Sequence, residues 1–142
     1  MPGPSFEFVE HTADLAARLR APTAAGLFEA GAAALTEALT DPARVRPAQS
    51  RVIELAAPEL DLLLVDWLHE LLFLFETEHL LVADCRVELD TGKAPAVRAT
   101  VRGERHDASR HPLKLLIKAV TYHGLRITHD ASGYEATVIL DI

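Results

Sequence analysis

The segment that most constrains the fold is the apolar stretch at residues 59–79, "ELDLLLVDWLHELLFLFETEH". Its spacing predicts a long helix whose polar side chains form one narrow stripe, leaving a broad apolar surface. That stripe consists of Asp66, His69, Glu70, Glu76 and Thr77. A surface of this width is stable in water only when other elements cover it, so we expect a sheet or a partner to pack against this helix.

The other segments predict the sheet. Alternating apolar residues indicate strands at 5–11, 14–21 and 50–58, a hairpin joining 85–90 to 96–104, and a final hairpin over 125–142. A second helix is predicted from Thr23, its N-cap, to the Thr40-Asp41-Pro42 stop. The element order ββαβαββαββ predicts an α+β fold with helices packed on a mostly antiparallel sheet, in one domain spanning residues 1–142.

A third helix is predicted at residues 110–125, "RHPLKLLIKAVTYHGL". Pro112 suits the first helical position and Gly124 the residue after the helix end. The apolar stripe at i, i+3, i+4 and i+7 would consist of Leu113, Leu116, Ile117 and Val120. This placement leaves Lys114 and Lys118 on the opposite face. There they are either solvated surface lysines or cations presented to an acidic or phosphate group of a partner.

Composition narrows the function classes. The net charge is −7, so the chain has no global basic field for a phosphate backbone, and strong direct nucleic-acid binding is not expected. The one cysteine, Cys85, sits among alternating apolar residues and suits an inert thiol in a reducing compartment. No signal peptide or membrane span is expected, because the start lacks an apolar core and the longest apolar run carries charges. We therefore predict a cytoplasmic protein.

The ending "ATVILDI" suggests a metal site. Asp141 lies beside the α-carboxylate of Ile142, and like charges held close together repel unless a cation binds between them. Asp14 and Glu10, in the turn "EHTAD", could supply further oxygens. Ligation by oxygen alone favours calcium first and magnesium second over zinc. The alternative is that Asp141 only solvates the end of a strand.

Zinc and nucleophilic chemistry find little support. His11, His111 and His123 lie near predicted element ends without the close spacing of zinc ligands. We interpret His111 as a residue at a helix start and His123 as one at a helix end. Nucleophile-elbow and phosphate-loop motifs are absent from the sequence.

Three stretches, "FVEHTADL", "IKAVTYHGLRI" and the final "VILDI", together resemble the archease family in order and spacing. The resemblance implies a two-layer SHS2-type fold, in which one strand-helix-strand-strand unit carries another inserted within it. It also implies an accessory protein of RtcB-type RNA ligases, which act in tRNA splicing and RNA repair. Archeases are understood to promote guanylylation of the ligase histidine and multiple turnover, without being ligases themselves.

The resemblance carries over to particular residues. Asp14 and Asp141, with the Ile142 carboxylate, resemble the acidic metal-binding cluster of archeases, and Lys118 resembles their activating lysine. His11 and His123 occupy matched motif positions as accessory residues. The chain departs from the family at Leu116, where archeases often have an acidic residue.

Two other functions stay open on the sequence. One is a metal-dependent hydrolase using Asp14, Asp141 and a nearby histidine, which predicts turnover by the purified chain alone. The other is a chaperone-like partner of a tRNA methyltransferase that binds through the apolar surface of the 60–75 helix. This second function predicts partner binding that survives loss of the acidic residues.

Overall fold

The computed structural model describes residues 3–10, 14–122 and 124–142, apart from the side chain of Glu10. Two helices and eight strands occupy these ranges, with a short 3₁₀ helix, Pro42–Arg44, after the first helix. The helices are α1 (Ala24–Leu39) and α2 (Leu60–Glu78). The strands are β1 (Ser5–Glu10), β2 (Asp14–Ala21), β3 (Gln49–Ala56), β4 (Leu80–Asp90), β5 (Ala96–Arg105), β6 (Ala119–Thr121), β7 (Ile127–Asp130) and β8 (Gly133–Asp141).

Helix α1 begins and ends as predicted. The Thr23 hydroxyl accepts a hydrogen bond from the Gly26 N–H at 3.0 Å, which satisfies one of the free donors of the first turn. The helix stops at Thr40, where the backbone turns extended before Pro42. Most of its side chains are buried, because α1 packs against strands of both sheets.

Helix α2 buries the broad apolar surface that the sequence predicts. Leu63, Leu64 and Trp67 are fully buried, and the Trp67 Nε1–H donates to the Phe28 carbonyl oxygen of α1 at 2.9 Å. The helix packs against α1, the smaller sheet and β6, and it ends at His79 in the left-handed conformation. The apolar surface of α2 is therefore covered by other elements of the same chain. Phe73, at 58%, is the most exposed apolar residue of this helix, while Leu60, Leu62 and Phe75 are partly buried.

The larger sheet is built around β8. In the order β1-β2-β8-β6, all neighbours are antiparallel, and β7 pairs with the first half of β8 on the same edge as β6. The final hairpin, β7 to β8, is confirmed, as is the pairing of the two N-terminal strands. The turn predicted between β1 and β2 includes residues 11–13, which lie outside the described residues. Val138 and Leu140 are buried, which anchors the last strand.

The smaller sheet has the order β3-β5-β4 and contains the predicted 85–104 hairpin, lengthened by β4 starting at Leu80. A register shift between Val82 and Asp84 brings the Leu81 carbonyl against Gly103. A Cβ at position 103 would lie 1.8 Å from the Leu81 oxygen, so only glycine fits there without a backbone shift. Side chains of both sheets and both helices join in one hydrophobic core. The α+β prediction is confirmed.

The predicted third helix at 110–125 is wrong. Residues 112–118 run without regular secondary structure into β6, and Leu113 and Leu116 are 55% and 77% exposed, while Ile117 and Val120 are buried. The backbone is held instead by other elements: the Lys114 N–H donates to the Leu39 carbonyl at 2.9 Å, and the Lys118 N–H donates to the Asp141 carbonyl at 2.7 Å. These bonds satisfy a carbonyl at the end of α1 and extend the edge pairing of β8, which an isolated helix would not do.

Within the part of the chain that the structure describes, no helix combines the length and the apolar character needed to cross a bilayer.

Candidate functional site

The antiparallel register of β2 and β8 places Asp14 directly opposite Asp141. On the other edge of β8, Asp141 is opposite Ala119, and the Lys118 N–H donates to the carbonyl oxygen of Asp141. Ile142 follows directly and is 39% exposed. Four of the predicted site residues, Asp14, Lys118, Asp141 and Ile142, therefore meet at one end of the larger sheet, although Asp14 lies more than a hundred positions before the other three in the sequence.

The charge pairing at this point differs from that elsewhere in the two sheets. Directly opposed side chains interact across a strand pair, and like charges placed there repel. At every other position in the described strand pairs where two charged residues are direct register partners, a carboxylate lies opposite an arginine. These are Glu7 with Arg18, Glu135 with Arg20, Glu54 and Glu88 with Arg98, and Asp84 with Arg102. Among the register partners of the described strands, Asp14 opposite Asp141 is the like-charged pair.

The carboxylate pair and the Lys118 side chain lie in different surroundings. Strand alternation gives Asp14 and Asp141 the same face of the sheet as Ala16 and Ile139. Lys118 instead lines a groove of about 370 Å³ between β6 and α2, together with Asp66, His69, Glu70, Leu72, Phe73, Glu76 and Ala119. A backbone hydrogen bond joins Lys118 to Asp141, while the exposed side chain of Lys118 enters an acidic groove.

The donor set at the end of β8 suits a hard cation. Carboxylate oxygens are the ligands that Ca²⁺ and Mg²⁺ prefer. Among the described residues, no group of three or more His, Cys, Asp and Glu side chains is arranged to hold a metal ion. A cation between Asp14 and Asp141 would therefore need further oxygens from the terminal carboxylate, from backbone carbonyls or from water. His11, His123 and the side chain of Glu10 lie outside the described part of the structure, so their predicted accessory roles stay predictions.

His111 does not start a helix, as the sequence suggests, but lies fully buried in a polar network. Its Nδ1 accepts the Asp107 N–H at 2.9 Å, so the ring proton sits on Nε2, which lies 2.7 Å from a Glu104 carboxylate oxygen. Burial alone would raise the pKa of Glu104, but the Arg46 N–H, His111 and Arg110 hydrogen bonds hold it below its usual value. The network ties the chain after β5 to the 3₁₀ helix and has a structural role.

Cys85 is half-buried in β4, and its surroundings suit an unreactive thiol, as its strand position predicts. Burial, followed by the charges of Glu29 and Asp84, raises the pKa of its thiol to about 12. A thiol that stays protonated at neutral pH is a poor nucleophile and a poor metal ligand.

The sequence did not identify the polar stripe of α2 as part of a site. In the structure the His69 Nε2–H donates to the Val120 carbonyl at 2.6 Å, and the Tyr122 hydroxyl donates to Asp66 at 2.7 Å. The hydrogen bond to Asp66, and then burial, raise the pKa of Tyr122. These bonds fix the groove wall opposite Lys118. The sequence signal for these polar residues was the interruption of an otherwise apolar helix by Asp66, His69 and Glu70.

The chain is similar to known proteins over nearly its whole length. The sequence pattern of the archease protein family matches residues 6–142. The chain is 36% identical over 142 residues to Protein archease of Methanosarcina barkeri, covering 99% of this chain and 97% of that one. It is 37% identical over 138 residues to Protein archease of Methanopyrus kandleri, with 96% and 99% covered.

The fold agrees as well. The solution structure of Methanobacterium thermoautotrophicum protein 1598 matches with a TM-score of 0.86 and 33% identity, covering 96% of this chain and 98% of that one. These observations define the class as small α+β proteins. In this chain, two acidic residues lie opposite each other at the end of the last strand. The chain belongs to the archease family.

Proposed function

We propose that this chain is an accessory protein that activates an RtcB-type RNA ligase, by promoting guanylylation of the ligase histidine and multiple turnover, in tRNA splicing or RNA repair. The observation that carries the proposal is the register that opposes Asp14 to Asp141 and bonds the Lys118 N–H to the Asp141 carbonyl. Membership of the archease family supports it. The sequence motifs for a nucleophile or a phosphate loop are missing, which favours an accessory role over a catalytic one.

Asp14, Asp141 and the Ile142 carboxylate would hold a divalent cation, with calcium preferred and magnesium as the alternative. Such a cation would supply positive charge near a nucleotide phosphate and would screen the carboxylates from one another. The protein would contribute by holding these oxygen ligands in fixed positions. Because β8 is paired along both edges and Val138 and Leu140 are buried, Asp141 is held in place by the core.

Lys118 would meet a phosphate group of the ligase complex. Its side chain is exposed, and its backbone hydrogen bond at 2.7 Å fixes its position relative to Asp141. The negative charge of the chain opposes direct binding of RNA, so its partner would be the ligase protein. We place this activity in the cytoplasm.

The test is guanylylation of a cognate RtcB-type ligase at limiting divalent metal, with and without this chain. Alanine at Asp14, Asp141 or Lys118 should lower the stimulation at least about tenfold, the effect of losing a little over one kcal/mol at the site. Asp84→Ala and Lys93→Ala are matched controls in the smaller sheet and its hairpin turn, and should stimulate as the wild type does. Undiminished stimulation by the three site variants would remove the assignment.

The same preparations separate the alternatives. A metal-dependent hydrolase would turn over a substrate without any partner when metal is added. A chaperone-like partner of a tRNA methyltransferase would bind and solubilise that enzyme equally well after Asp14→Ala and Asp141→Ala.

A further inference from the structure

Residues 112–118, the strap, cross the surface between the end of α1 and the start of β6. The strap is fixed at three points along its length. The Thr40 hydroxyl donates to the Pro112 carbonyl at 2.8 Å, the Lys114 N–H donates to the Leu39 carbonyl, and the Lys118 N–H donates to the Asp141 carbonyl. The Lys114 ammonium also bonds the Glu37 carbonyl and carboxylate at 2.9 and 2.7 Å.

Between these fixed points the strap turns two leucines outward. Leu113 is 55% exposed and Leu116 is 77% exposed, while Leu115 and Ile117 pack against the core. Single exposed leucines are common on protein surfaces. Here, however, the exposed pair is presented by a backbone that the rest of the fold holds in place, so it needs little ordering when a partner binds.

The neighbouring face of α2 adds an aromatic anchor and negative charge. Phe73, 58% exposed, lines the groove that Lys118 enters, and Lys118 is two residues from Leu116. Asp66, Glu70, Phe73 and Glu76 follow one another at spacings of four and three, so they share one helix face. The three carboxylates line the same groove as Phe73.

We propose that the strap and this face of α2 together form a docking surface for a basic protein surface that offers an apolar pocket to Leu116 and Phe73. Charge complementarity selects the occupant: the groove carries three carboxylates against one lysine, and the chain as a whole carries −7. RNA would be repelled by the same charges. The inference rests on the proposed function in taking the partner to be the RNA ligase, whose phosphate-binding surfaces need arginine and lysine.

The test compares two exposed apolar sites on the same chain. The double variant Phe73→Ala with Leu116→Ala should weaken binding to the cognate ligase at least about tenfold, because two large apolar side chains would lose the surface that they bury in the partner's pocket. Val52→Ala, at a valine that is 57% exposed on the smaller sheet, should bind as the wild type does. Dissociation constants are measured by calorimetry, and thermal melting checks that both variants are folded.

Charge is tested in the same way. Glu70→Lys with Glu76→Lys should weaken binding more at 50 mM than at 300 mM salt, since ions screen the lost attraction. Glu54→Lys, in the smaller sheet, should leave the dissociation constant unchanged. An affinity of the apolar double variant within twofold of the wild type would overturn the inference, as would failure of the wild-type chain to bind the ligase.

Other occupants give distinct results. If the wild-type chain is a dimer by light scattering and the apolar double variant a monomer, the surface binds a second copy and the inference is wrong. It is also wrong if ligase binding disappears after nuclease treatment, since RNA would then be the ligand.

The proposed function fails separately. In guanylylation assays the apolar double variant should need more protein for half-maximal stimulation but reach the wild-type maximum, whereas Asp141→Ala should lower the maximum. Binding of the wild type without any stimulation would overturn the function while the docking surface stands.

Discussion

The two sheets of this protein treat charge on their strands differently. In the smaller sheet each directly opposed charged pair joins a carboxylate to an arginine, and Asp84 binds Arg102 through two hydrogen bonds at 2.7 and 2.6 Å. The larger sheet follows the same rule in Glu7 with Arg18 and Glu135 with Arg20, but breaks it where Asp14 meets Asp141. Cross-strand pairs of opposite charge stabilise a sheet and like pairs destabilise it.

This difference distinguishes the end of β8, where the candidate site lies, from the smaller sheet. The smaller sheet packs against both helices, and burial raises the pKa of its cysteine, Cys85, to about 12. The larger sheet brings two aspartates and the strand that follows Lys118 together at one end. Changes in the smaller sheet should therefore alter stability, and changes at the end of β8 should alter binding.

The largest expected effect concerns Cys85 in the smaller sheet. With a pKa of about 12, only about one thiol in 10⁴ is ionised at pH 8, against a substantial fraction at the ordinary value near 8.5. Alkylation by iodoacetamide at pH 8 should be at least about a thousandfold slower in the native protein than in urea. The rate should rise about tenfold per pH unit while the fold persists. A native rate within tenfold of the unfolded rate would show a reactive thiol.

Next in size is the close approach at Gly103. The added methyl of Gly103→Ala would meet the Leu81 carbonyl oxygen, and the hairpin has to shift, which should lower the free energy of unfolding by about 2–4 kcal/mol. Gly92→Ala is the control, because its nearest neighbour is a flexible Asp90 side chain at 3.1 Å. Urea denaturation measures both. Equal stability of the two variants would mean that β4 and β5 do not meet closely at the register shift.

A smaller effect is expected at the end of β8. Adding Gly-Ser after Ile142 of the 142-residue chain converts its carboxylate to an amide and should weaken calcium binding about tenfold, since one anionic ligand is lost. The same two residues inserted after Met1 are the control. Calorimetry measures the affinity. If the extended chain binds calcium as tightly as the control, the terminal carboxylate is not a ligand.

The smallest effect compares matched aspartates. Asp141→Asn removes a like-charge opposition and should raise the free energy of unfolding by about 0.2–1 kcal/mol in the presence of a chelator. Asp84→Asn weakens an exposed ion pair and should lower it by a similar amount. Thermal melting at low salt shows whether each substitution raises or lowers the free energy of unfolding. Destabilisation by both substitutions would show that the opposed aspartates are stabilised within the protein itself.

Local patterns in the sequence were sufficient for most of the fold. Thr23 marks the start of α1 and Pro42 follows its end, and the polar stripe of α2 gives the orientation of its apolar surface. Alternation places the strands of both hairpins. These signals depend only on residues a few positions apart, which is why they can be read without knowing the neighbours in space.

The candidate site was predicted in part. The motif residues Asp14, Asp141 and Lys118 were named from sequence, and the structure brings their backbones together. The contribution of α2 to the groove around Lys118 was not predicted, because residues 66–76 and 118 approach only after α2 packs beside β6. The burial of His111 was missed because its partner Glu104 belongs to β5, whereas His111 lies in the irregular chain that follows this strand and folds back onto it.

The sequence by itself determined the two helices, the strand alternation and the family to which the chain belongs, since each rests on residues close together or on shared motifs. Only the tertiary structure decided the conformation of 110–121 and the opposition of the two aspartates. The apolar spacing of 110–121 satisfies a helix, yet the free carbonyl of Leu39 and the open edge of β8 offered its backbone better partners. A register between strands at opposite ends of the chain likewise depends on the packing of the whole sheet, because no local interaction sets it.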